Sequence, residues 1–173
     1  MDETIEHLYI NSKDNKCRFV LGIKGKNPLI FFGINPSTAE PEKPDKTIKK
    51  IAKIAKKNNY DSWIMLNIYP QRATDPNDLD KTIDEAIHKE NIEAIKSNIN
   101  VNSTIVAAWG NSIKKRPYLF NCLVNIVNAI NNKNLTWYSI GKLSMKKNPK
   151  HPLYLLFDTK LESFNIGAYI NRR

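Results

Sequence analysis

The chain has 173 residues, 41% hydrophobic and 9% aromatic, and Lys+Arg 27 against Asp+Glu 17 gives a net charge of +10. This composition suits one domain with a packed core and excludes a disordered chain. No apolar run approaches the roughly 20 residues of a membrane span. A basic balance of this size favours polyanionic partners, nucleic acid foremost, while the richness in Lys, Asn and Ile equally fits an AT-rich coding sequence with solvated lysines.

The N-terminal "MDETIEHLYINSKDNK" is too polar for a secretory leader. Within it, "TIEHLYI" and "CRFVLGI" flank the polar "NSKDNK" and predict a hairpin over residues 1–27. "NPLIFFGI" predicts a strand buried on both faces. "DKTIKKIAKIAKKNN" predicts a helix capped by Asp45, with Ile48, Ile51, Ala52 and Ala55 on one face. "SWIMLNIY" is a second buried strand, and "DPNDLDKTIDEAIHKENIEAIKSNI" a long helix with Ile83, Ile87 and Ala94 inward. "STIVAAWG" is a third strand, "RPYLFNCLVNIVNAINN" a helix and "LTWYSIG" a fourth strand. The alternation predicts a three-layer, doubly wound α/β fold with a central, mainly parallel, four-stranded sheet. A single domain, 1–173, is expected: hairpin 1–27, core 28–157 and C-terminal tail 158–173.

In such sheets the site lies at the carboxyl ends of the strands. Three predicted strand ends carry polar or glycine chemistry: "GINPS", "LNIYPQR" and "AAWGNS". In the first, Gly33 permits close backbone approach, Asn35 brings a donor and an acceptor, Pro36 stiffens the turn, and Ser37 and Thr38 offer hydroxyls. Each is also an ordinary turn residue, so the cluster carries the reading rather than any one of them. Asn67 ends the second strand, where its amide suits a two-pronged pairing with a base edge or the satisfaction of local backbone. Arg72 suits a phosphate or carboxylate, or a pair with Asp75. Trp109 suits stacking on a base, or the core; Gly110 lets the chain turn, and Asn111 and Ser112 open a helix whose free N–H groups suit an anion. The loop "KLSMKKNPKHPLY" brings Lys146, Lys147, Asn148, Lys150, His151 and Tyr154 together in a stiff basic segment that suits a phosphate backbone. His151 is a candidate general acid or electrostatic partner, or a plain turn residue. Cys17 and Cys122 stand in unrelated contexts and the histidines have no ligand spacing, so neither a metal nor another cofactor is expected, and a reducing cytoplasm is the expected compartment.

"NPSTAEPEKPDKTI", "LNIYPQRATDP", "VAAWGN" and "HPLYL" together resemble a bacterial and phage family of unknown function, over about residues 17–156. That family usually has a histidine where this chain has Asn148. The order of motifs more distantly resembles the uracil-DNA glycosylase superfamily, whose members flip a base out of DNA. "GINPS" is similar to the Gly-Ile-Asn-Pro-Gly turn of its mismatch-specific branch, and "NPKHPL" sits where a His-Pro-Ser or Asn-Pro-Ser loop presses into the minor groove. The resemblance implies that Asn35 holds the attacking water and Asn67 reads the base. It also implies that His151 or Asn148 stabilises the departing base anion, while residues 144–154 grip the DNA. The stacking aromatic usual after the first motif is missing from residues 37–47, leaving Tyr69 or Trp109 as substitutes. The expected function is recognition of nucleic acid or a nucleobase, extending to N-glycosidic bond cleavage. The alternatives are a non-catalytic nucleic-acid-binding module and an enzyme acting on free nucleotides or another small metabolite. The expected partner is DNA or a nucleobase or nucleotide ligand, and no membrane.

Overall fold

A computed structural model describes residues 4–172; residues 1–3 of the polar N-terminus, and residue 173, lie outside the described residues. Strands β1 (His7–Asn11) and β2 (Arg18–Ile23) form the expected antiparallel hairpin, with Tyr9 opposite Leu21. Strands β3 (Pro28–Gly33), β4 (Ser62–Asn67), β5 (Thr104–Ala107) and β6 (Thr136–Ile140) pair in parallel, with Ile30 opposite both Ile64 and Ile105. Their apolar runs are buried on both faces, which is why they lack the alternation of a half-exposed strand.

The sheet has seven strands, in the order β1-β2-β4-β3-β5-β6-β7, rather than the four expected. The hairpin joins it through antiparallel pairing of β2 with β4, Leu21 opposite Met65. The expected C-terminal tail supplies β7 (Leu161–Ser163), antiparallel to β6. Both additions cover edges of the parallel core whose backbone N–H and C=O groups would otherwise lack partners.

Helix α1 (Lys46–Lys57) covers one face of the sheet, packing Ile48, Ile51, Ile54 and Ala55 against Leu29, Phe31 and Met65. The Asp45 carboxylate accepts from Ile48 N at 2.9 Å, so the predicted cap is present. The other face is covered by α2 (Glu85–Asn98), α3 (Tyr118–Ile130) and the short α4 (Ile166–Ile170). The long second helix starts ten residues later than the sequence suggested. Residues 76–78 form a separate 3-10 turn begun by Pro76, and Asp84 is the true cap, accepting from Ala86 N and Ile87 N. Its fully inward residues are His88, Asn91 and Ile95, while Ile83, Ile87 and Ala94 are half-buried. No described helix is long and apolar enough to cross a membrane.

Strand β3 has β4 on one side and β5 on the other. The crossover through α1 therefore leaves β3 in one direction, and the one through α2 returns past it in the other. That reversal opens a crevice between the carboxyl ends of β3 and β5, where ligands settle in open α/β sheets.

Candidate functional site

A cleft of about 790 Å³ occupies this crevice, within the range of small-ligand sites. Its walls bring together Gly33, Asn35, Ser37, Thr38, Trp109, Gly110, Lys150, His151 and Tyr154 from the sequence-derived set. They come from three segments distant in sequence, and the register of β3, β4 and β5 sets their strand ends level.

The first wall is the loop after β3. The Asn35 side-chain amide donates to Pro36 O at 3.0 Å and to Ala73 O at 2.8 Å, and Ala73 N donates to Pro36 O at 2.9 Å. Asn35 thus staples its own turn to the loop after β4, with Oδ1 left as an acceptor. Pro36 is buried beneath this turn, outside the cleft lining. Arg72 also turns away from the cleft. Its guanidinium donates to Ser37 O at 2.6 Å and Tyr9 Oη at 2.8 Å, clamping the loop to the hairpin.

The floor is formed where β3 and β4 end side by side, Gly33 opposite Asn67. A Cβ on Gly33 would lie 2.6 Å from Met65 Cε and 3.1 Å from Asn67 Oδ1. Asn67 is fully buried, and neither its Nδ2 nor its Oδ1 has a partner among the described residues. Its backbone carbonyl is held by Asn91 Nδ2 at 2.9 Å, so the strand end is fixed independently of the side chain. A buried amide with both groups unmade is rare and costs free energy. Asn67 does not line the cleft directly. It sits behind the missing Gly33 Cβ and the mobile-ended Met65 side chain, both of which do.

The opposite wall follows β5. Gly110 adopts φ +64° and opens a 3-10 turn through Lys114 instead of the α-helix expected at Asn111 and Ser112. A Cβ on Gly110 would stand 3.2 Å from His151 Cβ, so glycine also lets the 144–154 loop close against this turn. His151 Nδ1 accepts from Leu153 N at 3.2 Å. An accepting Nδ1 carries no proton, which assigns the proton of the neutral ring to Nε2. Burial, only partly offset by Asp45, lowers the His151 pKa, so the ring is held neutral at pH 7. Tyr154, 84% exposed, stands at the cleft mouth with its ring 5.9 Å from that of His151.

Four placements correct the sequence-derived reading. Tyr69 is fully buried on the α2–α3 face, where its hydroxyl accepts from Asp84 N, because Ile68 and Tyr69 both turn to that face beyond the strand end. Trp109 contributes to the cleft wall but is fully enclosed. It packs against Trp137, Phe164 and Tyr169 and donates from Nε1 to Tyr169 Oη at 3.0 Å, leaving no open face for stacking. Asn148 is buried rather than on the basic surface: its Nδ2 donates to Asn111 Oδ1 at 2.9 Å and its Oδ1 accepts from Tyr169 Oη at 2.8 Å. Arg72, as above, holds backbone rather than a ligand. Lys146 and Lys147 are exposed and outside the cleft, while Lys150 lines it.

The sequence reading missed Arg18, Asp45 and Met65 as cleft residues. Arg18 had a legible signal: a single charged residue inside the apolar run "CRFVLGI". It is 2% exposed; Nη1 donates to Ala39 O at 3.0 Å, and Nε has no partner among the described residues. Burial, and then the nearby Arg72 charge, lower its pKa to about 10, which leaves it charged at neutral pH.

The family model for proteins of unknown function called DUF1643 matches residues 18–153. The chain belongs to the DUF1643 family. The matched span begins at Arg18 and ends just past His151, so it takes in all three walls of the cleft. No curated protein and no solved structure matches the chain.

Proposed function

We propose that the cleft of this DUF1643 protein receives a nucleobase, presented by nucleic acid or by a nucleotide, and that N-glycosidic bond cleavage is the reaction its residues are equipped for. The observation that carries the reading is Asn67. An amide with donor and acceptor both unmade, just behind the floor of a cleft and next to a strand glycine, matches the paired donor and acceptor edge of a base. Water could meet the same groups only at a cost in order, whereas a planar base edge meets both at once. The distant likeness of the motifs to uracil-DNA glycosylases agrees with this assignment.

In this reading Asn67 reads the base edge after Met65 swings aside. Tyr154 supplies the stacking surface that Tyr69 and Trp109 do not. Asn35 Oδ1 accepts from the attacking water. The water oxygen bonds to the sugar carbon as the base departs with the electron pair of the broken bond, and the proton the water gives up passes through solvent to the departed base. The neutral His151, through Nε2–H, donates a hydrogen bond to the base anion without having to lose its own proton. Lys150 at the rim, with Lys146 and Lys147 beyond it, attracts the phosphate backbone, a contribution that weakens with salt.

Incubation with oligonucleotides containing uracil, a thymine mismatch or hydroxymethyluracil, followed by cleavage of abasic sites on a gel, tests the chemistry. Base release lost in Asn35→Ala supports it. No release from any substrate at high enzyme and low salt removes the glycosylase step. One observation favours the non-catalytic module: the Asn35 donor is already spent on Ala73 O. That reading predicts DNA binding that survives Asn35→Ala, with no turnover in either protein.

A further inference from the structure

The nucleobase reading gives no role to Arg18. This side chain is 2% exposed and lines the cleft, yet no carboxylate lies within ion-pair distance of it among the described residues. Among the described residues the ion pairs Lys24–Glu6 and Lys96–Glu93, and the longer His7–Glu42 contact, lie elsewhere on the surface. Asp45, on the same cleft, favours the charge only from beyond contact distance and offsets neither the burial nor the nearby Arg72 charge, and a buried charge without a partner in contact is among the most expensive groups a fold can hold. Holding the Ala39 carbonyl does not account for it. One hydrogen bond to a neutral acceptor needs no cation, and Arg72 already donates to Ser37 O and to Ala39 O.

The antiparallel pairing of β2 with β4 places Arg18 level with the end of β4, where Arg18 N donates to Pro70 O at 3.0 Å. At that level the sheet presents Arg18, Asn67, Gly33 and then the turn at Gly110 on successive strands β2, β4, β3 and β5. A charged site thus sits one strand from the amide site, on one cleft. Beside them the Ser37 and Thr38 hydroxyls line the same wall.

We propose that Arg18 is the counter-charge for a phosphate group attached to the ligand, so that the cleft takes a phosphorylated nucleoside rather than a free base or nucleoside. The inference rests on the nucleobase reading for what the phosphate is attached to, and on Arg18 alone for the phosphate. The phosphate belongs to a free nucleotide or to a phosphodiester strand. Both offer the same oxygens to the guanidinium, whose Nε–H is enclosed and without a partner among the described residues, so the side chain turns toward the cleft to offer it.

The test is isothermal titration of deoxyuridine, its 3′- and 5′-monophosphates, deoxyribose 5-phosphate and a short uracil-containing oligonucleotide into wild type, Arg18→Met and Arg18→Lys. At least one monophosphate should bind wild type tenfold or more tighter than the nucleoside, about 1.4 kcal/mol. Arg18→Met should erase that preference while binding the nucleoside as well as wild type does, and Arg18→Lys should keep part of it. Tighter binding of the oligonucleotide than of both monophosphates assigns the phosphate to a strand; the reverse assigns it to a free nucleotide. Equal binding of nucleoside and monophosphates, or a preference that survives Arg18→Met, overturns the inference and leaves the base reading intact. Tight, Arg18-dependent binding of deoxyribose phosphate with no gain from the base does the opposite. Should Arg18→Met fail to fold, the wild-type melting temperature in phosphate against chloride at equal ionic strength decides: a rise that Arg18→Lys diminishes supports the inference, and no rise overturns it.

Discussion

Replacing Asn67 with leucine separates a binding residue from a structural one, because the two roles move stability in opposite directions. Leucine has nearly the shape of asparagine and no polar atoms. In the wild type both polar atoms of the Asn67 amide are buried and unpartnered. Each such group costs about 1–3 kcal/mol, so removing both relieves roughly 2–6 kcal/mol. Against this stands about 1–3 kcal/mol of crowding, since Met65 and Gly33 leave little slack. The net expectation is a gain of about 1–3 kcal/mol, and at roughly 2–4 °C per kcal/mol for a chain of this size the melting temperature rises by about 2–12 °C. Calorimetry and urea unfolding read it directly. The same variant should lose the paired contact to a base, about 1–3 kcal/mol or roughly 5–150-fold in affinity. A stable variant that no longer binds is the signature of a group kept for a ligand. A variant destabilised by 1 kcal/mol or more would refute the reasoning, since it would mean that the amide is satisfied inside the fold.

Gly33→Ala should cost about 1–3 kcal/mol, because Met65 Cε and Asn67 Oδ1 must both give way, and it should weaken nucleobase binding tenfold or more by filling the gap in front of Asn67; unchanged affinity in titration would contradict that. Asn148→Ala should destabilise by about 1–3 kcal/mol in urea, because it strips partners from Tyr169 and Asn111, rather than merely weaken DNA binding as a surface contact would. Tyr154→Ala should leave the urea midpoint within about 0.5 kcal/mol of wild type, as an exposed side chain does, while weakening base binding in titration by the stacking contribution, about 1–3 kcal/mol. Burial lowers the pKa of both His88 and His151, so the unfolded chain takes up protons that the native state refuses once the pH falls below about 6.5. Stability should therefore be flat above that pH and decline below it, and comparison of urea midpoints at pH 7.5 and 5.5 should show a shallower decline in His88→Gln.

The parallel core was legible because buried strands announce themselves as short apolar runs, and α1 because Asp45 and the spacing of Ile48, Ile51 and Ala55 agree. Strand β7 was not. Three residues, Leu161–Ser163, with one half-buried side chain carry no periodicity, and only the exposed edge of β6 calls them into the sheet. Nor was the attachment of the hairpin, since pairing of β2 with β4 is a property of the sheet edge rather than of either sequence. Gly33, Asn35 and His151 line one cleft at the carboxyl ends of the strands, which is where the topology of an open α/β sheet directs the search. Residue type alone could not tell an aromatic at a rim from one in the core: Trp109 and Tyr69 are enclosed, and Tyr154 is open. Asn148 lies among exposed lysines in sequence but points inward, because Tyr169 and Asn111 come from elements far along the chain to meet it.

The central claim is that one cleft binds the base at Asn67, and it is tested most directly by a crystal structure soaked with deoxyuridine monophosphates at saturating concentration. The account predicts a base within hydrogen-bond distance of both Asn67 side-chain atoms, with Met65 displaced and the ring against Tyr154. A ligand bound elsewhere, for example along the lysines of α1, or a cleft that stays empty with Met65 still packed over Gly33, would contradict it.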